Sequence, residues 1–360
     1  MKAWQTTRLV MTAAVLFGLS SFTARSAYLD EGDTASGRPE RILPRPIPIP
    51  PRDRDNPLRQ ILRRVDLGRP YTYGRLTVFP LVLRDNGDQP DIRTLDEALN
   101  RGWITIREQE QARVAEVVVR NESKYPVFMM GGEILGGGRQ DRIIRNDVLI
   151  GRNRDTVTVP VYCVEQDRWQ GTRESFDRAP FLAGQSMRGL AARAASQEAI
   201  WTEVDQRLKQ SGTPAPTRSY QALYNDRDTG RRIDRAATRF RAIRTRHTVG
   251  LVIADRGRVV SGDLFADPEL CERLWDKIIR SHVADIVIQD DGRRDEESLA
   301  GGSTESVRNF LQALSRAELD RESTPGDGES FALRGQVDGH ALLWNGGLIH
   351  VVAFPAPRLY

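Results

Sequence analysis

Between Gly131 and Arg142 the chain reads GGEILGGGRQDR, and five of the first eight residues are glycine. Glycine carries no Cβ, so it enters positive φ freely and lets the backbone approach a neighbour, but it weakens any helix or strand interior that it occupies. A run this rich in glycine can be neither a helix nor the middle of a flat strand. It is a loop or a bulged hairpin, and short strands must flank it. PVFMM precedes it, and the apolar runs Ile143 to Ile150 and Thr156 to Val164 follow. In TVTVPVYCVE the two-residue period puts Val157, Val159, Val161 and Cys163 on one face and carries Glu165 onto the same apolar side. A carboxylate there needs a counter-ion, for which Arg168, Arg139 and Arg142 are the candidates.

The rest of the chain alternates strand and helix periods. LTVFPLVL, Leu76 to Leu83, is a strand in which Pro80 marks an edge or a bulge. TLDEALNRG is a short helix with Thr94 as N-cap, Glu97 as its capping-box partner and Gly102 as the stop. ITIR, Val114 to Val119 and PVFMM predict an antiparallel meander. Helical spacing runs from Gln185 to Lys209, breaks at SGTPAPT, and returns in two arginine-rich pieces, 220–225 and 233–244. The hairpin RHTVGLVIA, DRGR, VVSGDLF leads into the helix DPELCERLWDKIIRSHV, with proline at N1 and Leu270, Cys271, Leu274, Trp275, Ile278, Ile279 and His282 inward. Strand DIVIQ, helix STESVRNFLQAL and three terminal strands complete the chain. The prediction is an α+β fold of mostly antiparallel strands with several packed helices, as a single domain over residues 71–360. Strand, turn and capped helix recur at Leu76 to Leu99 and Gly250 to Val283. That leaves open two pseudo-repeats in one unit, about 71–184 and 245–360, joined by a helical segment 185–244.

Residues 1–27 have the form of a secretory signal peptide: Lys2 and Arg8 precede the apolar run Leu9 to Phe22, and Ala24, Ser26 and Ala27 offer a cleavage site. That run is short for a membrane span, which needs about 20 apolar residues. The expectation is an exported protein, periplasmic or extracellular, with no membrane span after cleavage; an uncleaved N-terminal anchor is the alternative. Residues 28–70, with seven prolines between Ser36 and Pro57, read as a disordered proline-rich tether, with a short helix from Leu58 to Val65 near its end. The signal segment holds three basic residues and no acid, so the formal charge of +4 falls to +1 without it. A near-neutral chain lacks the electrostatic footprint of a nucleic-acid binder, and no nucleic-acid partner is expected. Cys163 and Cys271 read as two buried free thiols rather than a bridge.

The glycine stretch contains neither G-x-G-x-x-G nor G-K-[ST], which excludes the dinucleotide fingerprint and the P-loop. Backbone N–H groups at Gly132 and Gly137, with Glu133, Arg139, Gln140 and Arg142 beside them, would suit a phosphate or carboxylate. A bulged hairpin whose acids and arginines neutralise each other fits the same residues. CVEQDRW adds Glu165, Arg168 and Trp169, whose ring could stack on a sugar or base. These nine residues form the candidate ligand-binding set, with Glu133 and Glu165 as candidate general bases. His247, His282, His340 and His350 show no metal-ligand spacing and read as structural, and no cofactor is expected. Asp263, Glu269 and Asp276 read as capping acids around a hairpin and a helix.

LTVFPL, TLDEAL, GGEILGGGRQDR, VPVYCVEQDRW and GDLFADPELCERLWDKIIRSH together resemble, in this order, the ARG and rhodanese-phosphatase-superfamily-associated domain family, long catalogued as a domain of unknown function. The resemblance spans about Tyr71 to Val283. In the family block D-G-E-E-L-x-G-x-K-Q-N-R the chain keeps Gly132, Glu133, Leu135, Gly137, Gln140 and Arg142, carries Arg139 in place of lysine, and departs at Gly131, Ile134 and Asp141. The resemblance implies a connection with ADP-ribose or related phosphate metabolism. The expected function is binding of an anionic or polyhydroxylated small molecule, phosphate-, nucleotide- or sugar-like, in a cleft lined by Gly, Arg and Glu. Two alternatives stay open: a hydrolase acting on ADP-ribose-like or other phosphorylated substrates, and a structural or interaction protein with no such site.

Overall fold

The computed structural model describes residues 56–85, 90–109, 115–152, 156–168, 174–289 and 303–357. The signal segment, most of the proline-rich stretch and Trp169 lie outside them. The described chain opens with α1 (Pro57–Leu62), β1 (Val65–Leu67), β2 (Tyr71–Tyr73) and β3 (Leu76–Leu83). Asn56 caps α1 by accepting from the N–H groups of Leu58 and Arg59, with proline at the first helical position. Leu58 and Ile61 are buried, and β1 pairs with β3. Packing therefore begins before Tyr71, and a tether boundary at residue 70 is too late. Two apolar anchors outweigh the local proline content.

Next come β4 (Arg93–Thr94), α2 (Leu95–Asn100), β5 (Ile104–Glu108), β6 (Glu116–Asn121), β7 (Val127–Met129), β8 (Glu133–Gly137), β9 (Arg142–Ile144), β10 (Val148–Ile150), β11 (Thr156–Cys163) and β12 (Ser175–Leu182). Six of these strands, in the order β11-β6-β5-β12-β8-β9, close into a barrel. The capping box at α2 is as predicted, with Thr94 Oγ1 accepting from Glu97 N–H at 3.3 Å and Glu97 Oε2 accepting from Thr94 N–H at 2.9 Å. β5 and β6 pair as expected, but β7 leaves the meander and joins β10 and β4 in a separate three-stranded sheet. The buried Asn121 amide, which donates to the carbonyls of Tyr125, Ile150 and Gly151, holds the chain where it departs. Strand β12 has no counterpart in the sequence prediction, because two register shifts break its period.

The chain ends with α3 (Gln185–Ala192), α4 (Gln197–Ser211), α5 (Ala222–Asn225), α6 (Arg227–Arg241), β13 (Thr248–Asp255), β14 (Arg258–Phe265), α7 (Pro268–Gln289), α8 (Thr304–Ser315), β15 (Glu318–Glu322), β16 (Glu329–Arg334), β17 (Val337–Trp344) and β18 (Gly347–Pro355). The helix expected from Gln185 to Lys209 is two helices, since Ala194 takes φ 54° and Ser196 caps α4 afresh. DIVIQ is not a strand: α7 runs to Gln289, with Val283, Ala284 and Ile288 extending its buried stripe. Packing overrides the β preference of this β-branched run.

A nine-stranded antiparallel sheet runs β1-β3-β13-β14-β18-β17-β16-β15, with β2 also on β3. One face buries Phe79, Leu343 and Val351 with α1 and α8. The other packs Leu251, Ile253 and Leu342 with α7 and the outer side of the barrel, through Ile134 and Ile143. A third cluster fills the barrel with Ile104, Ile106, Val117, Val119, Leu135, Ile144, Val159 and Val161, and Leu95 and Ala98 of α2 close one end of it. The architecture is α+β, as predicted. Among the described residues no helix is long and apolar enough to cross a membrane.

Candidate functional site

The barrel interior is apolar in its middle and charged at both ends. Alternation along β5, β9 and β11 brings Glu108, Arg142 and Cys163 inward at the end where β8 turns into β9. Arg142 is 1% exposed; its Nη2 lies 3.4 Å from Glu108 Oε1, and its Nη1 donates to Gln140 Oε1 at 3.3 Å. Gln140 Nε2 in turn donates to the Gln166 carbonyl at 3.0 Å. Arg168 closes over this layer. It donates through Nε to Glu165 at 2.8 Å, and through its Nη atoms to the carbonyls of Gly138 and Gly137 and to Asp141 Oδ1, at 3.1, 3.2 and 3.1 Å. Gly137, at φ 115°, holds a conformation that side-chain-bearing residues rarely adopt. Burial, then the Glu165 charge, raises the pKa of Asp141, which accepts from Ser219 Oγ at 2.7 Å. Burial likewise raises the Cys163 thiol, which lies 2.9 Å from the Glu165 carbonyl. Arg139 stands outside, 3.7 Å from Glu174.

Of the predicted set, the structure thus brings together Gly137, Gln140, Arg142, Glu165 and Arg168. Arg168 is the counter-ion that Glu165 required. Their charges are spent on one another, so this end is a polar plug in a hairpin whose acids and arginines neutralise each other.

Glu133 lies at the other end of β8, beside α2. It is fully buried, accepting from Met130 N–H at 2.8 Å through Oε2 and from Lys277 Nζ at 2.5 Å through Oε1. Lys277 reaches in from α7 and also meets Asp96 Oδ2 at 2.7 Å. Gly132 makes room here: at φ 99° it turns the chain into β8, and a Cβ on it would stand 2.6 Å from Arg188 Cγ. Burial pushes the Glu133 pKa up to about 7 despite the pull of Lys277. Burial would lower the Lys277 pKa, but Glu133 and Asp96 outweigh it and leave the value raised. A cleft of about 340 Å³ opens above this trio, lined by Asp96, Lys277, Asp177, Arg178, Arg273 and Arg280. Arg273 is paired with Glu97 and Glu269, and Arg280 with Asp234. Arg178 has no carboxylate partner among the described residues.

A third polar group ties the barrel hairpin to the large sheet. Asp263 accepts from Arg188 at 3.2 and 2.5 Å and lies 3.3 Å from His282 Nε2 and 3.2 Å from His350 Nε2. His350 Nδ1 lies 2.7 Å from Asp147, which accepts from Gly131 N–H at 2.8 Å. Burial alone would raise Asp263 and Asp147, but Arg188 and the histidines hold Asp263 well below the usual carboxylate range, and His350 lowers Asp147. Between the two carboxylates the His350 pKa rises, although burial opposes this. Asp263 is therefore a fully buried hub and not a capping acid. Both cysteines are free and buried.

Lys277 escaped the sequence prediction, although it sits seven residues after Leu270 on the inward face of α7. A lysine at that spacing inside an apolar stripe was the available signal. Asp96 had none, being an ordinary first-turn acid. No curated protein and no solved structure matches the chain. A family model does match, across residues 64–354 and hence the barrel, the large sheet and all three polar groups: the chain belongs to the ARG and Rhodanese-Phosphatase-superfamily-associated Protein domain family.

Proposed function

We propose that this protein binds a small molecule bearing a phosphate or carboxylate in the cleft above Lys277. The observation that carries this reading is a fully buried carboxylate paired with a lysine at the floor of an open cleft, where Arg178 at the wall lacks a carboxylate partner among the described residues. Burying such a pair is unfavourable unless it is well bonded, and perturbed groups of this kind cluster at functional sites. The anion meets Arg178 and the Lys277 ammonium, and Asp96 orients hydroxyl or amine groups. Glu133 does not touch the ligand; it sets the charge beneath it. With Glu133 protonated the floor trio is neutral, and with Glu133 ionised it carries one negative charge that repels an anion. Affinity accordingly falls as pH rises through about 7.

The family description names an association with phosphatases, which makes phosphate-bearing compounds the first to test. Titration calorimetry with inorganic phosphate, ADP-ribose, nucleotides and sugar phosphates against wild type, Arg178→Ala and Glu133→Gln is the direct measurement. Binding that weakens about tenfold in Arg178→Ala, and loses its pH dependence in Glu133→Gln, is the expected result. Affinity that is indifferent to both substitutions removes the cleft from consideration. A carboxyl titrating near neutrality also suits proton transfer, which favours hydrolysis of the bound compound as a second reading. Product formation on prolonged incubation separates turnover from binding. Residues 1–27 support export of this binding domain, and N-terminal sequencing of protein recovered outside the cytoplasm tests that part.

A further inference from the structure

On the barrel-facing side of the large sheet, near its far edge, β17 presents His340, and Glu322 of β15 reaches toward it across the small Ser330 and Ala332 of the intervening β16. The turn between β9 and β10 lays Asn146 against them. His340 is 2% exposed, yet neither of its ring nitrogens has a hydrogen-bond partner, and the Asn146 Oδ1 is buried in the same condition. A buried imidazole with two unused nitrogens is rare, because each buried polar atom left unsatisfied forfeits the hydrogen bond it had with water. These groups converge on one atom. Glu322 Oε2 lies 3.9 Å from His340 Nε2 and 3.5 Å from Asn146 Nδ2. Both separations are too long for a good hydrogen bond. They are close to the spacing of about 3.3 Å between two donors on a tetrahedral ion with bonds near 2.0 Å. A flip of the Asn146 amide, which costs it no hydrogen bond to another residue beyond that marginal contact, turns Oδ1 toward Glu322. Among the described residues no three His, Cys, Asp or Glu side chains are grouped to hold a metal; here the third donor is an amide oxygen.

We propose that His340, Glu322 and Asn146 form a binding site for a first-row divalent cation, separate from the Lys277 cleft. One imidazole nitrogen, one carboxylate oxygen and one amide oxygen suit zinc or manganese, with water completing the shell. Glu322, with its side chain 35% exposed, connects the site to solvent, so the ion enters without unfolding the sheet. Asp147 contributes negative charge at His340, whereas His350 and Arg145 oppose the cation.

Full-length protein stripped with chelator and titrated calorimetrically with Zn²⁺ and Mn²⁺ tests the assignment. The expected result is one saturable equivalent, weakened at least tenfold by Glu322→Gln and by His340→Ala, and tightened by Arg145→Gln. Circular dichroism melts in chelator establish that each variant is folded. Glu322→Gln changes a partly exposed side chain and keeps the test decisive should His340→Ala fail to fold. An absence of stoichiometric binding, binding that survives both ligand substitutions, or weaker binding in Arg145→Gln overturns the assignment. So does a metal-soaked crystal with no anomalous signal beside His340.

Discussion

The two ends of the barrel hold similar residues and do different work. At the hairpin end two arginines face Glu108, Asp141 and Glu165, and each of these charges has an opposite charge as partner within the protein, although Arg142 Nε is left without a hydrogen bond. At the α2 end a single lysine serves Glu133 and Asp96 beneath an open cleft, with Arg178 on the cleft wall. Density of charge therefore does not identify a site. What distinguishes the α2 end is a shifted carboxylate whose lysine partner lines open space, whereas the shifted Asp141 of the hairpin end is paired with Arg168 and held by Ser219. The hairpin end reads as a site in the sequence because its charges are adjacent in the chain. Adjacency also lets them neutralise each other.

The largest expected difference between the ends comes from Lys277→Met. It strands Glu133 without a counter-ion, and urea melts at pH 8 should show a loss of about 3–5 kcal/mol. At pH 5.5 Glu133 is protonated in the folded protein, so the loss should be visibly smaller. Equal losses at the two pH values would contradict the raised pKa on which the contrast rests.

Glu133→Gln sharpens the same point. The folded protein holds the Glu133 proton up to about pH 7, whereas the unfolded chain releases it near 4.5. Wild-type stability therefore declines as pH rises between those values, by about 3 kcal/mol in total. The variant lacks this decline, so the stability difference between variant and wild type should move in the variant's favour from pH 4.5 to pH 8. A difference that stays flat across that range would sink the assignment. His350 acts with the same sign over a different window. Its raised pKa contributes stability below about 6.5, which is lost as pH rises through the folded value.

Arg142→Met should cost less, about 1–3 kcal/mol, because Glu108 at the rim regains water when its partner goes. It should leave ligand affinity at the Lys277 cleft unchanged, which calorimetry can check. Loss of binding there would erase the distinction between the ends. Arg178→Ala should be the mildest for stability, within about 0.5 kcal/mol by thermal melt, while weakening anion binding about tenfold. A variant that binds like wild type would make the cleft as inert as the plug.

Much of the framework was legible locally. The capping box at Thr94 and Glu97 lies within four residues, the glycine turn within eight, and the Glu165–Arg168 pair is three apart. Each is a short-range consequence of φ preference, period or spacing. Strand β12 was hidden by its bulges, and the end of α7 by β-branched residues that packing holds helical. The candidate set was half legible. Gly137, Gln140, Arg142, Glu165 and Arg168 do meet, but Glu133 belongs elsewhere, because the five residues of β8 carry its two ends to opposite ends of the barrel.

From the chain alone came the element types, the glycine hairpin and the need of Glu165 for a nearby cation. Tertiary structure alone decided that Glu133 meets a lysine 144 residues away, that Asp263 is a hub for two histidines and an arginine, and that a cleft opens over Lys277. The reason is physical. Propensity and periodicity act over a turn or a strand, whereas a buried charge takes its pKa from burial and from whichever partners the packed elements bring against it.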